Sequence, residues 1–413
     1  MTKRQNTRNA CILMFVGSLV IPITGLLLHK YILHYELVKV ISMFLFLIPV
    51  LVILGFTAYI FARHKSIRRY YRFCRLRQSI EKNLLSIKAY EEKEGVNYKI
   101  LPKVKITEDR IIIDLTNIKI RKAIEQYTDT WSSGLWNNFV VEDTEISENA
   151  TQFIIKYEDI TMYKKEVYTT EEFKEIMRVI TEPTELYFSK KYIVDLNQLP
   201  HWIISGESGS GKSTLIEQII AQSVIKNFET KVADIHRALS FYDELVDYYV
   251  EADEILNMLR EVQSEMRERM NAIGEARERG ITAIKLGYKP MLVLIEEFID
   301  LKGLFGKNEL KEFEEIILSL SVGARKAGIF LFISSQSVGT EVISASTRHN
   351  YSKILLGNAQ SNILKSTFGD GLDIPKVSFK DKGEGLICID NKVRVLKCAY
   401  ISDLGGDSLM KYR

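Results

Sequence analysis

The chain is poor in cysteine, with four in 413 residues: Cys11, Cys74, Cys388 and Cys398. None pairs with another at a metal-ligand spacing, which excludes a zinc ribbon and a disulfide framework. They read as ordinary reduced thiols of a cytoplasmic protein, with Cys11 inside a membrane segment. Net charge is scarce too: 56 basic against 53 acidic side chains leave +3. Charge balance by itself therefore gives no reason to expect nucleic acid. Internal repeats and low-complexity linkers are absent.

What the chain has in quantity at its start is apolar sequence. Ala10 to Leu28 and Val40 to Ala62 are almost wholly apolar, and each is long enough to cross a bilayer core of about 30 Å. Two transmembrane helices are expected, with Pro22 and Pro49 as kink points. A cleaved signal peptide fits the first less well, because the apolar stretch is long, lacks a small-x-small cleavage site and is followed at once by a second span. Lys3, Arg4 and Arg8 precede the first span, and Arg63, Lys65, Arg68, Arg69, Arg72, Arg75 and Arg77 follow the second. By the positive-inside rule both termini and everything after the second span are cytoplasmic, which makes this a multi-pass protein of the cell membrane. The basic run is interleaved with Tyr70, Tyr71 and Phe73, a pattern that suits anionic lipid or a DNA backbone; its position beside a span favours lipid.

The pattern then divides the chain into an anchor (1–62), a basic juxtamembrane helical segment (63–99), a small α+β domain (100–185) and an α/β domain (186–413), with the last boundary near Leu186. Lys103–Thr107, Arg110–Asp114 and Phe153–Tyr157 alternate as strands do, and a helix is expected over Lys122–Thr130. No catalytic constellation occurs there; Tyr127, Trp131 and Trp136 read as core or interface aromatics. Thr169–Ile180 reads as a helix ended by Pro183. Beyond it strands are expected at Trp202–Ser205, Lys231–Ile235, Met291–Ile295, Ile329–Ser334 and Lys353–Leu356. Of the intervening helices the longest is Ala252–Glu278, whose Ile255, Leu259, Val262, Met266 and Met270 make a core-facing seam.

One motif carries specific chemistry. Gly206-Glu207-Ser208-Gly209-Ser210-Gly211-Lys212-Ser213-Thr214 follows the apolar run Trp202–Ile204 and opens into Leu215–Ile220, so it joins a strand to a helix. This is a P-loop: the glycines let backbone N–H groups close around phosphates, Lys212 reaches the β- and γ-phosphates, and the Ser213 hydroxyl binds Mg²⁺. The cofactors expected are ATP and Mg²⁺. The buried strand Met291–Ile295 ends in Glu296 and Glu297, where carboxylates belong beside the metal. Glu296 is assigned to Mg²⁺ through water, and Glu297 to orienting the attacking water. Gln336 ends another buried strand beside the P-loop and is the candidate γ-phosphate sensor. Arg325, which precedes that strand, is a candidate arginine finger acting on a neighbouring subunit's nucleotide; Arg348 and a plain salt bridge are its alternatives.

These residues resemble the FtsK/SpoIIIE-type DNA translocases, and within them the membrane-bound coupling ATPases of conjugative elements. The similarity runs from about Tyr192 to Ile401. Val194–His201 is similar to the lead-in to the P-loop, Ala233–Tyr242 to the segment after the second strand, and Glu261–Arg269 to the "EMxxR" helix. Gly323–Gln336, with Glu341-Val-Ile343 and Asn350, resembles the "RAxGIxLxxxxQ…VI…N" block. The resemblance implies a P-loop (RecA-like) ATPase domain, a hydrolase acting as a homo-hexamer on DNA of largely any sequence, with relaxase or transfer-channel proteins as partners. Glu296 departs from the family's usual Asp, Asp234-Ile-His236 from its "DPK", and two spans from the four common in division-linked translocases. With the sequence ending at Arg413, no winged-helix module is expected.

Three functions are compatible with these features: a motor feeding DNA to a transfer channel, a chromosome-segregation or division motor, and a membrane-tethered ATP-binding adaptor. The two acids and the Gln-ended strand favour a motor. A small-molecule kinase fits poorly for want of an arginine-rich lid, and a GTPase because Asn391-Lys-Val-Arg394 lacks the acid of the guanine motif "NKxD".

Overall fold

The computed structural model describes Leu51 and residues 54–409, apart from 93–97, 108, 127–130, 132–134, 136–138, 160–164, 180–181, 337–347, 370, 373, 376 and 406–408. The first expected span and most of the second lie outside these residues, as do Cys11, Tyr127, Trp136 and Glu341–Ile343. Among the described residues no helix is long and apolar enough to cross a membrane; 54–64 are helical, with Leu54, Phe56, Tyr59 and Phe61 exposed.

Two compact units divide the chain, Met1–Asp159 and Ile160–Arg413. In the first, helix α1 (Ile67–Ser86) starts at Ser66, whose hydroxyl accepts the Arg68 N–H at 3.2 Å. Leu76, Ile80 and Leu84 recur every four residues along one face and are fully buried. They share a core with an antiparallel sheet of order β1-β2-β4-β3: β1 (Val104–Ile106), β2 (Arg110–Asp114), β3 (Phe139–Ile146) and β4 (Gln152–Asp159). The basic run thus belongs to a packed helix. Arg72 pairs with Asp159 and lies 5.6 Å from the Phe139 ring centre, while Arg63, Lys65 and Arg68 stay exposed. Trp131 is core, packed on Phe153. The helix expected over Lys122–Thr130 instead occupies Ile118–Glu125 (α2), because Asn117 caps it by accepting the N–H groups of Lys119 and Ile120.

The second unit begins earlier than the expected boundary near Leu186. Helix α3 (Thr170–Val179) buries Phe173 and Met177 against Tyr187, Ala399 and Ile401. Just before it, β5 (Val167–Tyr168) pairs in parallel with β16 (Tyr400–Ile401), at the other end of the unit. The break near Pro183 ends a helix and leads into a hairpin, β6 (Glu185–Ser189) and β7 (Tyr192–Asp195), not into a new domain.

Eight strands form the central sheet in the order β10-β9-β11-β12-β8-β13-β14-β15. The six from β10 to β13 are parallel: β10 (Asp247–Tyr249), β9 (Glu229–Ala233), β11 (Met291–Ile295), β12 (Ile329–Ser335), β8 (His201–Gly206) and β13 (Tyr351–Leu356). Helices cover both faces, as near-continuous apolar strands require. α5 (Ala252–Ala276) and α7 (Lys307–Gly323) lie over one core, and α4 (Lys212–Ile225) over the other. The expected α5 seam is buried from Ile255 to Met266, with Met270 partly buried against it. Strand β9 starts and stops two positions before its expected range, because the Asp234 carboxylate accepts the N–H groups of His236 and Leu239 and turns the chain. Strands β14 (Glu384–Ile389) and β15 (Lys392–Lys397) add an antiparallel hairpin that sequence reading missed. Its signal is Asp390-Asn391, both at positive φ (50° and 58°), a pair suited to a two-residue hairpin turn.

Two buried polar residues tie the sheet to its surroundings. Arg269 of α5 is 2% exposed and donates to the carbonyls of Lys289 and Ala327 at 2.8 and 3.1 Å, clamping the entry ends of β11 and β12. His201, at the start of β8, accepts the Leu331 N–H at 3.2 Å through Nδ1, and burial pushes its pKa from 6.5 down to about 4. Between those values the unfolded chain takes up a proton that the folded chain refuses. Stability from this site is therefore complete above about pH 6.5 and falls as pH drops toward 4, by about 3 kcal/mol. Urea unfolding at pH 7 and pH 4 should show wild type losing about that much more than His201→Gln; equal losses would mean that His201 does not titrate in this way.

Candidate active site

The sheet order dictates which residues meet. In a parallel sheet all strands deliver their C-terminal ends to one edge, and here β8, β12 and β11 lie side by side. The P-loop leaves β8, Gln336 follows β12, and Glu296 and Glu297 follow β11.

The P-loop turns sharply out of β8. A Cβ on Gly206 would lie 2.5 Å from Ser210 Oγ and 2.9 Å from the Leu356 carbonyl oxygen, so only glycine fits. Glu207, Ser208 and Gly209 form the exposed tip, and the Ser210 N–H closes the turn on the Glu207 carbonyl at 3.1 Å. Gly211 then precedes α4 at φ 101°, a left-handed conformation that L side chains rarely adopt. Lys212 is the first residue of α4, with Ser213 and Thr214 in its first turn: Ser213 is exposed, Thr214 half-buried, and Lys212 only 8% exposed.

The Lys212 ammonium forms an ion pair with Glu297 Oε1 and lies 3.6 Å from Glu296 Oε1. Gln336 Nε2 approaches the same Glu297 oxygen at 3.5 Å, a long contact. Lys212, Glu296, Glu297 and Gln336, singled out separately in the sequence, therefore converge. Glu297 also sits at φ 46° as the residue before helix α6 (Phe298–Leu304). Left-handed backbone at a non-glycine residue costs about 1–3 kcal/mol and tends to mark functional positions; here it turns a carboxylate back toward the P-loop.

Glu296 differs from Glu297 in its surroundings. It is 4% exposed, and burial raises its carboxyl pKa against the opposing pull of Lys212. Its Oε2 has no hydrogen-bond partner, nor does Ser335 Oγ at the end of β12. Unpartnered buried oxygens at one edge of a sheet fit a cation and its water. The donors available are Glu296 Oε2 and the Ser213 hydroxyl. Among the described residues no group of three or more His, Cys, Asp or Glu could hold a metal ion, so a cation here would be completed by phosphate oxygens and water.

Arg325 is not brought into this cluster. It lies in the turn before β12, and its Nε donates to the Asn197 carbonyl. Seven strand residues separate that end of β12 from Gln336, about 20 Å. Arg348 is likewise at the entry end of β13, with Nη1 donating to the Ser366 carbonyl at 2.7 Å. Neither reaches its own chain's P-loop edge by this route. Sequence reading missed two residues that pack against the loop, Gly357 and Gly383; the signal for the second was its place in Lys382-Gly383-Glu384-Gly385, just ahead of an apolar alternation.

A P-loop beside paired strand-end acids, with a polar residue on the intervening strand, defines a P-loop ATPase. Residues 165–289 match the FtsK/SpoIIIE family model, so the chain carries an FtsK/SpoIIIE domain; the match takes in the P-loop and ends just before β11. The FtsK domain-containing protein YdcQ of Bacillus subtilis is 23% identical over 411 residues, covering 92% of this chain and 83% of that one. The DNA translocase FtsK of Campylobacter jejuni is 24% identical over 212 residues, which is 46% of this chain and 22% of that longer protein. Among solved structures, the pCW3 conjugation coupling protein TcpA in its monomer form with ATPγS aligns at a TM-score of 0.53 and 18% identity, over 83% of this chain and 99% of that one. This likeness supports the α/β P-loop fold.

Two substitutions separate the roles. Lys212→Ala removes the cation that meets the phosphates, so ATP hydrolysis by the purified chain should fall at least about a hundredfold. Glu297→Gln should lower kcat about a thousandfold with folding intact. Normal turnover in the Gln variant would shift the water-orienting role to another acid.

Proposed function

We propose that this protein is a membrane-anchored, ATP-driven DNA translocase, the coupling protein that delivers DNA to a conjugative transfer channel. In this reading it works as a homo-hexamer in the cell membrane, held by the two N-terminal spans, with both termini and the ATPase domain cytoplasmic. Relaxase or channel proteins are its partners. The observation that carries the ATPase part is the convergence of Lys212, Glu297 and Gln336 on one edge of the sheet. The C. jejuni relative supports DNA as substrate. Coupling is favoured over chromosome segregation by how far the TcpA alignment extends over both chains.

The residues suggest how hydrolysis proceeds. Lys212 neutralises Glu297. An arriving triphosphate offers Lys212 a more highly charged partner, and its transfer to the β- and γ-phosphates leaves the Glu297 carboxylate free to orient water. Gln336, beside Glu297, senses whether the γ-phosphate is present. Ser213 and Glu296 would hold Mg²⁺, whose charge would offset that of the phosphate oxygens. Arg325 would act only in trans, on the nucleotide of the next subunit in the ring.

DNA should test this reading. Purified full-length protein in detergent should hydrolyse ATP faster when either single- or double-stranded DNA is added, with little preference among sequences, because backbone contacts do not read bases. The stimulation should collapse between about 50 and 200 mM salt as released counterions lose their advantage. An ATPase indifferent to every DNA form at low salt would favour the ATP-binding adaptor.

A further inference from the structure

On the other side of the P-loop from Glu297 lies a turn, Lys380–Glu384, that leads into β14. Its Gly383 N–H donates to the carbonyl of Ser210, in the middle of the P-loop, at 2.8 Å. The approach is close: a Cβ on Gly211 would fall 2.7 Å from the Gly383 nitrogen, and one on Gly357 would lie 3.2 Å from Ser210 Cβ. Ser210 is thus seated between the end of β13 and this turn.

The turn is itself held firmly. The Glu384 carboxylate folds back to accept the N–H groups of Lys380 and Asp381 at 3.2 and 3.3 Å, and pairs with Lys397 Nζ at 2.7 Å across the β14–β15 ladder. Burial alone would raise the Glu384 carboxyl pKa, but Lys397 and the two N–H groups outweigh it and hold the carboxyl below its usual range. The backbone is also tied on both sides of Gly383: the Cys398 N–H donates to the Gly383 carbonyl and the Gly357 N–H to the Glu384 carbonyl, each at 2.8 Å. Lys165 Nζ reaches the Lys382 carbonyl at 2.8 Å.

The consequence follows from the planarity of the peptide. In a trans peptide the C=O of one residue and the N–H of the next point in opposite directions. A Ser210 carbonyl drawn toward Gly383 therefore turns the Gly211 N–H away from it, toward the concave side of the loop where phosphate binds. Backbone N–H groups cradle phosphate only when several point inward together, and a single flipped peptide removes a donor and presents a carbonyl in its place.

We propose that Gly383 and Glu384 are positioning residues for the nucleoside triphosphate: Gly383 orients the Ser210–Gly211 peptide, and Glu384 holds Gly383 in place. The proposal rests on the ATPase reading of the P-loop. It sets affinity more than turnover, because the chemistry of Lys212 and Glu297 lies on the opposite side of the loop.

The test uses full-length protein, a titration with a fluorescent ATP analogue and steady-state hydrolysis of ATP. Glu384→Ala should raise both Kd and KM about tenfold while kcat changes less than about twofold. Glu384→Gln should recover most of the affinity, since an amide oxygen still accepts from Lys380 and Asp381. Lys165→Ala, at an exposed site that puts folding at little risk, should give a smaller rise of about threefold and keeps the test open should Glu384→Ala fail to fold. Unchanged Kd in a folded Glu384→Ala and in Lys165→Ala, or a loss confined to kcat, would overturn the proposal alone. A wild-type chain that binds no ATP would overturn the ATPase reading and this inference with it.

Discussion

The ion pair between Lys212 and Glu297 depends on one constraint, the insertion of β12 between β8 and β11 in the parallel sheet. The P-loop strand and the acid strand are separated by a gap of one strand, and the acids face Lys212 across the end of it. Gln336 lies beside that gap because its strand fills it. Much of the rest serves this edge. Arg269 fixes the entry ends of β11 and β12, so that their exit ends are in register, and the left-handed turn at Glu297 aims its side chain back along the sheet. The same buried setting that lets Lys212 pair so closely leaves Glu296 Oε2 without a partner, a cost that a bound cation would relieve.

Much of the site was legible in the sequence because its chemistry is local. A P-loop is a contiguous motif whose glycines, lysine and hydroxyl all act within one turn, and a carboxylate pair directly after five apolar residues has only one edge of a sheet on which to lie. Strands β11 and β12 were legible for the same reason: two-sided burial makes Met291–Ile295 and Ile329–Ile333 apolar throughout. Strand β10 was missed because Asp247-Tyr-Tyr249 is short, polar and half-exposed at the sheet edge. The Gly383 turn was missed because its importance lies in a contact with residues far away in the chain, and no spacing rule encodes that.

The domain boundary shows another limit of local reading. Pro183 marks a real interruption, yet α3 before it packs on residues from the far end of the chain, Ala399 and Ile401, and so belongs to the ATPase unit. The basic run after the second expected span is similarly double in character. Three leucine-type side chains of α1 anchor it to the small sheet, while Arg63, Lys65 and Arg68 remain exposed for whatever anionic surface lies nearby.

In the proposed cycle Lys212 must leave Glu297 for the triphosphate, so the ion pair between them opposes binding. The ATP affinity of Glu297→Gln, measured against wild type under conditions where neither turns over, reads that opposition. Removing the carboxylate charge frees Lys212 and lessens repulsion of the phosphates, and ATP should bind about tenfold more tightly to the variant. Equal or weaker binding by a folded Glu297→Gln chain would mean that the ion pair does not compete with ATP for Lys212.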